Sequence, residues 1–526
     1  MNRFVVPLAL LLFLPLLGLL VPFFIPALDS GINSGDGLTN VGTLSHLWDF
    51  VLKGYIASTL WLILGVGVGV FILGVGNAWI IANYQFPGKK IFQWALILPL
   101  AIPTYVMAYL FVDVLQFSGP IQTVLRSLLD LNSLWFFPDP RSLSGAIWSF
   151  SFCLYPYVYL ITRTAFIERS RRLLEVAETL GYSHTEAFFK LVLPMARPAI
   201  FAGMALALME VLADFGAVSY FGVQTFTAGI FKAWLSFGDR LVAVQLSLGL
   251  LSFVLLIFFI EQYSRKQLRY ATSVQSKTVA KVLRGKQALA AFLFCGLTLL
   301  FGFLLPAITL IHLLYQQGFD LDFRYFAWLG NSVSVSAVAA ILSVILAIFF
   351  AYSVRLHPRL SWINRLLGFG YALPGAVLAI GILSALEIFQ MAWWISASIL
   401  VLIYAYLVRF LSSSLQSVET GLLRITPAMD SSAALLGLSK LQILRRVHIP
   451  LLNRSLMTAG LFVFVDVMKE LPATLLLRPF NFDTLAVATY QLASDERLSE
   501  LALPSLTIVL VGLLPILWLS RLISRS

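Results

Sequence analysis

Cysteine and charge are scarce in this chain, and so is any motif that would make it an enzyme. The two cysteines, Cys153 and Cys295, each lie inside an apolar run. With no nearby partners they argue against a disulfide framework or a thiolate metal site and read as small buried side chains. Charged residues make up 12% of the 526-residue chain, against about 25% in a typical soluble domain. There is no metal-ligand His pair, no nucleophile beside a base and no catalytic dyad in the loops. Gly65, Gly67 and Gly69, with Gly74 and Gly76, superficially resemble a phosphate loop. No strand precedes them, no Lys-Ser or Lys-Thr follows, and they lie within an apolar run, so they read as a stripe for close helix packing. No nucleotide-binding motif is present. The first apolar run, 4–27, shows no clear small-residue cleavage site and is expected to be a retained first span rather than a signal peptide.

What the sequence does have is hydrophobicity: 60% of its residues are apolar and the mean hydropathy is +0.90. That excludes an ordinary soluble domain and leaves room for about a dozen spans of roughly 20 residues. The fold class is therefore an all-α membrane protein. Expected spans are 4–27, 55–82, 92–116, 145–167, 198–222 and 243–263, then 287–315, 328–355, 365–390, 393–416, 453–478 and 501–523. The net charge of +11 reflects orientation rather than nucleic-acid binding, because Lys and Arg cluster between apolar runs on alternate sides. That asymmetry puts both termini in the cytoplasm. Residues 264–286 hold seven cations and no acid, from Arg265 to Lys286. They read as a basic linker between a first half, 1–263, and a second half, 287–526, with anionic lipid a further partner for their charge.

The two halves repeat. Glu175–Pro198 (EVAETLGYSHTEAFFKLVLPMARP) is echoed without a gap by Ser431–Arg454 (SSAALLGLSKLQILRRVHIPLLNR), so that Gly181 falls on Gly437 and Pro194 on Pro450, 256 residues apart. Each copy is expected to be a short amphipathic helix, a bend at the apolar-Pro pair, then a membrane helix. Pro103 and Pro374 correspond at an offset of 271, which places an extra outer segment around 117–144 of the first half. Six spans per half in the same orientation make this a parallel repeat, a transporter architecture. Two like cytoplasmic helices suggest two docking points for a paired soluble partner. Leu180, Phe188, Phe189 and Leu191, with Leu436, Leu441, Leu444 and Val447, would face that partner or the underside of the membrane domain. Arg445 and Arg446 could meet its acids. His184 and His448 read as polar surface.

Four acids fall at repeat-related positions inside the membrane: Glu210 and Asp214, then Asp466 and Glu470. Asp214 lies roughly 24 Å into a ~30 Å core, counted from Pro198. Acids so deep must face water, pair or bind a cation. Oxygen ligands of this kind suit a hard cation, and the competing reading is ion pairing with Lys469, Arg478 or Lys232. Tyr105, Tyr109 and Tyr220 could add phenolic oxygens or anchor at the interface.

The spacing Glu175-Val-Ala177, Gly181, Leu191 and Leu193-Pro194 resembles the EAA loop, 175–194, of ABC-importer permeases. The second copy, 431–450, keeps Gly437, Val447 and Ile449-Pro450 but has Ser431-Ser432-Ala433 in place of Glu-Ala-Ala. The segments Ala213–Gly222 (ADFGAVSYFG), Lys232-Ala233-Trp234, Phe237-Gly238-Asp239 and Lys469–Thr474 (KELPAT) are similar to fused, double-length permeases of ferric-iron importers, and in part to permeases for thiamine, phosphonates or polyamines. The resemblance implies the type I permease fold in two halves and a multi-pass protein of the bacterial inner membrane. It implies docking of two cytoplasmic ATPase subunits, which hold the ATP and Mg, through Glu175, Ala177, Gly181, Phe188, Leu191 and Pro194. In the second copy the corresponding residues are Ala433, Gly437, Arg445, Arg446, Val447 and Pro450. It further implies a periplasmic binding protein and Fe(III) as cargo, moved by alternating access past Glu210, Asp214, Asp466 and Glu470, with no cofactor and no catalysis in this chain. An ATPase-independent secondary transporter using the same acids is the competing class, and it leaves the duplicated helix without a purpose.

Overall fold

The computed structural model describes residues 2–24, 48–131, 137–179, 181–266, 281–318, 322–391, 395 and 398–524. The principal helices are α1 (Asn2–Phe24), α2 (Lys53–Asn83), α3 (Lys89–Ala95), α4 (Thr104–Leu115), α5 (Leu143–Thr179), α6 (Leu193–Ala213), α7 (Gly216–Tyr220) and α8 (Arg240–Lys266). They continue as α9 (Gly285–Leu299), α10 (Leu305–Gln317), α11 (Phe323–Leu356), α12 (Ser361–Leu367), α13 (Gly375–Ile388) and α14 (Ile399–Leu422). The last are α15 (Pro427–Leu435), α16 (Ile449–Lys469), α17 (Pro472–Leu477) and α18 (Ala502–Ser524). Two short strands, β1 (Tyr84–Gln85) and β2 (Lys281–Val282), pair in parallel and tie the end of the basic segment to the turn after α2. Among the described residues nine helices are long and apolar enough to cross a membrane, or eleven if each of two bent pairs counts as one span.

Those bent pairs correct the expected spans 92–116 and 365–390. Lys89–Ala101 meets Thr104–Leu129 at 98°, and Pro358–Ala372 meets Gly375–Ile388 at 113°. Each bend sits at a repeat-related proline. The residue before it, Ile102 or Leu373, is extended (ψ 121° in both), because proline sterically excludes the helical region for its predecessor. Pro103 and Pro374 then open the next helix with a fixed φ near −60°.

The chain forms two compact units, and these do not follow the two sequence halves. The first unit comprises Leu47–Gly229, Ser252–Phe319 and Leu492–Ser526; the second comprises Met1–His46, Ile230–Leu251 and Asp320–Gln491. Thus α9, α10 and α18 complete the unit built on the first half, while α1 completes the unit built on the second. Small residues permit this packing. In the second unit α1 crosses α13 where Gly18 faces Gly381: a Cβ on Gly18 would lie 2.1 Å from the Gly381 carbonyl oxygen. In the first unit Gly512 of α18 lies against Ala101, with no room for a side chain. Gly65, Gly69 and Gly74 press α2 onto Ile147, Ser151 and Val158 of α5, so the glycine stripe is a packing surface.

Candidate functional site

Each of the two repeated loops, 175–194 and 431–450, is a pair of helices joined at a glycine, and the local sequence explains the geometry. In the first unit α5 runs unbroken from the membrane to Thr179. Gly181 follows with φ +79°, and Tyr182 N–H donates to the Ala177 carbonyl at 3.0 Å. In the second unit α14 stops at Leu422, Pro427 opens α15, Gly437 has φ +83°, and Leu438 N–H donates to the Ala433 carbonyl at 3.2 Å. This is the 6→1 bond of a Schellman motif, in which the left-handed position favours glycine. Ala177 and Ala433 are buried at 0% and 6% exposure, so they seat the first limb rather than present it to a partner.

The second limb begins with a capping box in both copies. Ser183 N–H donates to Glu186 (3.1 Å), and Ser439 N–H donates to Gln442 (2.8 Å). The expected break at the apolar-Pro pair is absent. The chain instead makes a wide π-turn, Phe188–Val192 and Leu444–His448, and continues into α6 and α16 with proline in their first turn. A proline cannot donate to the preceding turn and clashes with the carbonyl four residues back. The wider π-turn just before it accommodates both defects without ending the helix.

Among the described residues the two loops are fastened by different chemistry. In the first unit Phe188 turns inward, its ring 4.6 Å from Trp79, with Phe166 5.5 Å from Trp79, while Phe189 is exposed. In the second unit a single carboxylate gathers the parts. Asp430 of α15 accepts from Arg355 Nε (2.8 Å) at the end of α11 and from His448 Nε2 (2.6 Å) before α16. Arg355 also donates to the carbonyls of Leu422 (2.9 Å) and Ile425 (2.8 Å), and Tyr352 donates to the Lys440 carbonyl (2.7 Å). His448 is fully buried rather than on the surface. Burial pushes the Asp430 carboxyl up, but the hydrogen bonds from Arg355 and His448 prevail and hold it below the usual range.

Gly181, Gly437, Arg445, Arg446 and Pro450 are exposed, while Phe188, Leu191, Pro194 and Val447 are half-buried. Leu435, Leu436 and Leu441 add a broad exposed apolar surface to the second loop, at 88%, 82% and 55%. The side chains of Glu175, Leu180 and His184 lie outside the described residues.

The four membrane acids separate into two kinds. Asp214 is the residue after α6, extended (ψ 134°) and buried. It accepts from the Ala217 N–H at 2.7 Å and from the Thr104 hydroxyl of α4, so it caps α7. Glu470, its repeat partner after α16, is likewise extended (ψ 122°) and caps α17 by accepting from the N–H groups of Ala473 and Thr474, both at 2.9 Å. Its second function is an ion pair with Arg409 of α14, at 2.9 Å with the two side chains 9% and 1% exposed. Of the expected partners, Lys469 pairs with Asp466 at 3.7 Å rather than with Glu470, and Arg478 pairs with Asp483. Arg409 is the residue that reading for acids misses, although a lone arginine inside the apolar run Ile399–Leu422 signals a buried partner.

The offset of 271 puts Gly375 in place of Thr104. A Cβ on Gly375 would come within 2.7 Å of both the Arg409 guanidinium and the Glu470 carboxylate, so glycine leaves the gap through which arginine reaches the acid. Glu210 and Asp466 are half-buried, one turn before their respective caps. Tyr105 and Tyr109 are buried within the first unit, with Tyr220 4.6 Å from Tyr109, so the first two are not interface anchors. Among the described residues no three His, Cys, Asp or Glu side chains converge on a metal-holding group. Both cysteines are buried and neither forms a disulfide.

Helix pairs with a Schellman glycine, a capping box and a π-turn before proline thus occur twice in this polytopic helical protein. Residues 71–270 match the family of binding-protein-dependent transport system inner membrane components. On that match and its apolar helices the chain is a multi-pass permease subunit of the ABC-importer kind. It is 28% identical over 482 residues to the Fe(3+)-transport system permease protein FbpB 2 of Haemophilus influenzae, covering 89% of both chains. It is 31% identical over 153 residues to the sulfate transport system permease protein CysT of Escherichia coli, covering 29% of this chain and 52% of that one. It is 30% identical over 166 residues to the molybdenum transport system permease protein ModB of Haemophilus influenzae, covering 32% of this chain and 66% of that one.

Proposed function

We propose that this permease imports ferric iron handed to it by a periplasmic binding protein, and that two ATPase subunits drive it from the cytoplasm through the loops 175–194 and 431–450. The observation that carries the cargo is the extent of similarity. The ferric permease is matched over 89% of both chains, whereas the sulfate permease is matched over 52% of its own length and 29% of this chain. In this reading both termini and both loops face the cytoplasm, as the distribution of Lys and Arg supports. The exposed Leu435, Leu436 and Leu441, flanked by Arg445 and Arg446, suit an apolar groove rimmed with acids. ATP and Mg belong to the partner.

Among the membrane acids, Glu210 and Asp466 are each proposed to face the pathway, because each stays half-buried where Asp214 and Glu470 are buried. Asp214 and Glu470 are already committed to capping, and a carboxylate whose oxygens are filled by N–H and hydroxyl donors is a poor ligand for a passing cation. Lys469 beside Asp466 then sets how strongly that site holds a positive charge. The test is uptake of radioactive Fe(III), delivered by the cognate binding protein, with Glu210→Gln and Asp466→Asn combined. The expected result is at least a tenfold loss at normal expression. Wild-type uptake would discard the pathway role, and a cognate binding protein isolated with sulfate or molybdate instead of iron would overturn the cargo.

A further inference from the structure

The second loop is fastened by hydrogen bonds that the first loop cannot make. At an offset of 256 residues Asp430 corresponds to Leu174 and His448 to Val192. The first loop leans on the rings of Trp79, Phe166 and Phe188. Apolar ring contacts are non-directional and tolerate sliding. Hydrogen bonds weaken steeply with angle, so a network of them moves as one body or breaks. One carboxylate, Asp430, here joins four segments: α15 on which it sits, the start of α16 through His448, the end of α11 through Arg355, and the end of α14 through the carbonyls of Leu422 and Ile425 that Arg355 also holds. Tyr352, one turn before Arg355, grips the second limb at Lys440 and stacks edge-on against His448 at 5.3 Å. Among the described residues the other ring nitrogen of His448 has no partner, so the only hydrogen bond on that buried imidazole is the one to Asp430.

We infer that Asp430, Arg355 and His448 form a polar latch that carries displacement of the second loop into α11 and α16, so that the two loops transmit force by different means. These are positioning residues. None needs to touch ATPase or cargo. The inference rests on the proposed docking of ATPase subunits at both loops. It adds that the second loop is rigidly geared to the membrane helices, whereas the first is cushioned. Removing the latch should therefore leave docking and hydrolysis in place while the work per ATP falls.

The experiment uses the complete importer, permease with its ATPase subunits, reconstituted in proteoliposomes with the binding protein present. ATP hydrolysis and Fe(III) uptake are measured together. Asp430→Asn should co-purify with the ATPase at wild-type stoichiometry and retain most of its hydrolysis, with Fe(III) moved per ATP reduced about tenfold. Arg355→Gln should behave alike, and the double variant should fall no further than either alone, because all three break the same link. Asp430→Glu should recover part of the ratio, and Phe166→Leu, which loosens the ring cluster beneath the first loop, should leave the ratio unchanged. A wild-type ratio in Asp430→Asn overturns the latch. So does an equal fall in Phe166→Leu, which would mean that any loosening of either loop uncouples. If Asp430→Asn yields no folded protein, Arg355→Lys carries the test: it keeps the charge but cannot span carboxylate and carbonyls together, and an unchanged ratio overturns the latch equally. A wild-type complex that binds no ATPase sinks the docking reading instead. One that hydrolyses ATP but moves no Fe(III) sinks only the cargo, and the latch is then read from the binding protein's stimulation of hydrolysis.

Discussion

The two copies of the glycine-joined loop, and the two capped turns after α6 and α16, share key backbone angles and differ in the side chains that secure them. Phe215 and Leu471, which follow the capping acids, have φ of −111° and −112°. Gly181 and Gly437 differ by four degrees, at +79° and +83°. Yet Asp214 is satisfied by a hydroxyl and an N–H, whereas Glu470, one methylene longer, needs an arginine brought past a glycine. The lesson is that backbone requirements dictate residue types narrowly, while a tie-down only has to be satisfied. An unusual dihedral angle admits glycine and little else, but a buried carboxylate can be paired by any donor that reaches it.

The comparison is broken or sharpened most sharply at the capping acids. Arg409→Leu leaves Glu470 buried without its counter-charge and should cost about 3–5 kcal/mol, seen as lost yield and a lowered Tm in detergent. Asp214→Asn keeps an acceptor for the Ala217 N–H and should cost about 1 kcal/mol. Equal losses would show that the two caps are energetically alike and that the ion pair adds nothing. A smaller effect tests the shared element. Gly181→Ala and Gly437→Ala each place a Cβ at positive φ and should cost about 1 kcal/mol apiece, indistinguishable by Tm, because open space surrounds both glycines. A clear difference would mean that the two turns are not equivalent after all.

The smallest effect concerns pH. The Asp430 carboxyl is held below its ordinary range, so its contribution is complete above that range and is lost as pH falls through the lowered native value. The Tm gap between wild type and Asp430→Asn should therefore be constant from about pH 6 to 8 and narrow only below about pH 4. A gap that closes near neutrality would place the controlling titration elsewhere.

Much of this was legible in the sequence, and what escaped did so for physical reasons. Composition and apolar runs give an all-helical membrane protein, and the ungapped echo of Gly181 in Gly437 gives two like loops. The capping boxes are visible as Ser183-x-x-Glu186 and Ser439-x-x-Gln442, a signal that reading for hydrophobic periodicity passes over. Pro103 and Pro374 are in plain view, but proline states that a helix is interrupted, not whether the chain then kinks slightly or turns through about a right angle. The Arg409–Glu470 pair joins residues 61 positions apart, and no local pattern encodes that distance. The burial of His448 follows from Tyr352 and Asp430 converging on it, which sequence proximity does not reveal. Nor does the apolar pattern of α1 indicate which helix it will lie against, since lipid-facing and helix-facing surfaces are both apolar.

The crossing of α1 with α13 has a consequence for how the protein is made. Gly18 leaves the ribosome 363 residues before Gly381, an interval of roughly 20–70 s at ordinary elongation rates. Throughout that time the first helix must wait in the bilayer with its notch unfilled, sheltered by lipid or by the insertion machinery. The second unit is thus begun first and finished late, and the nascent chain has to keep its opening segment from settling on the wrong neighbour.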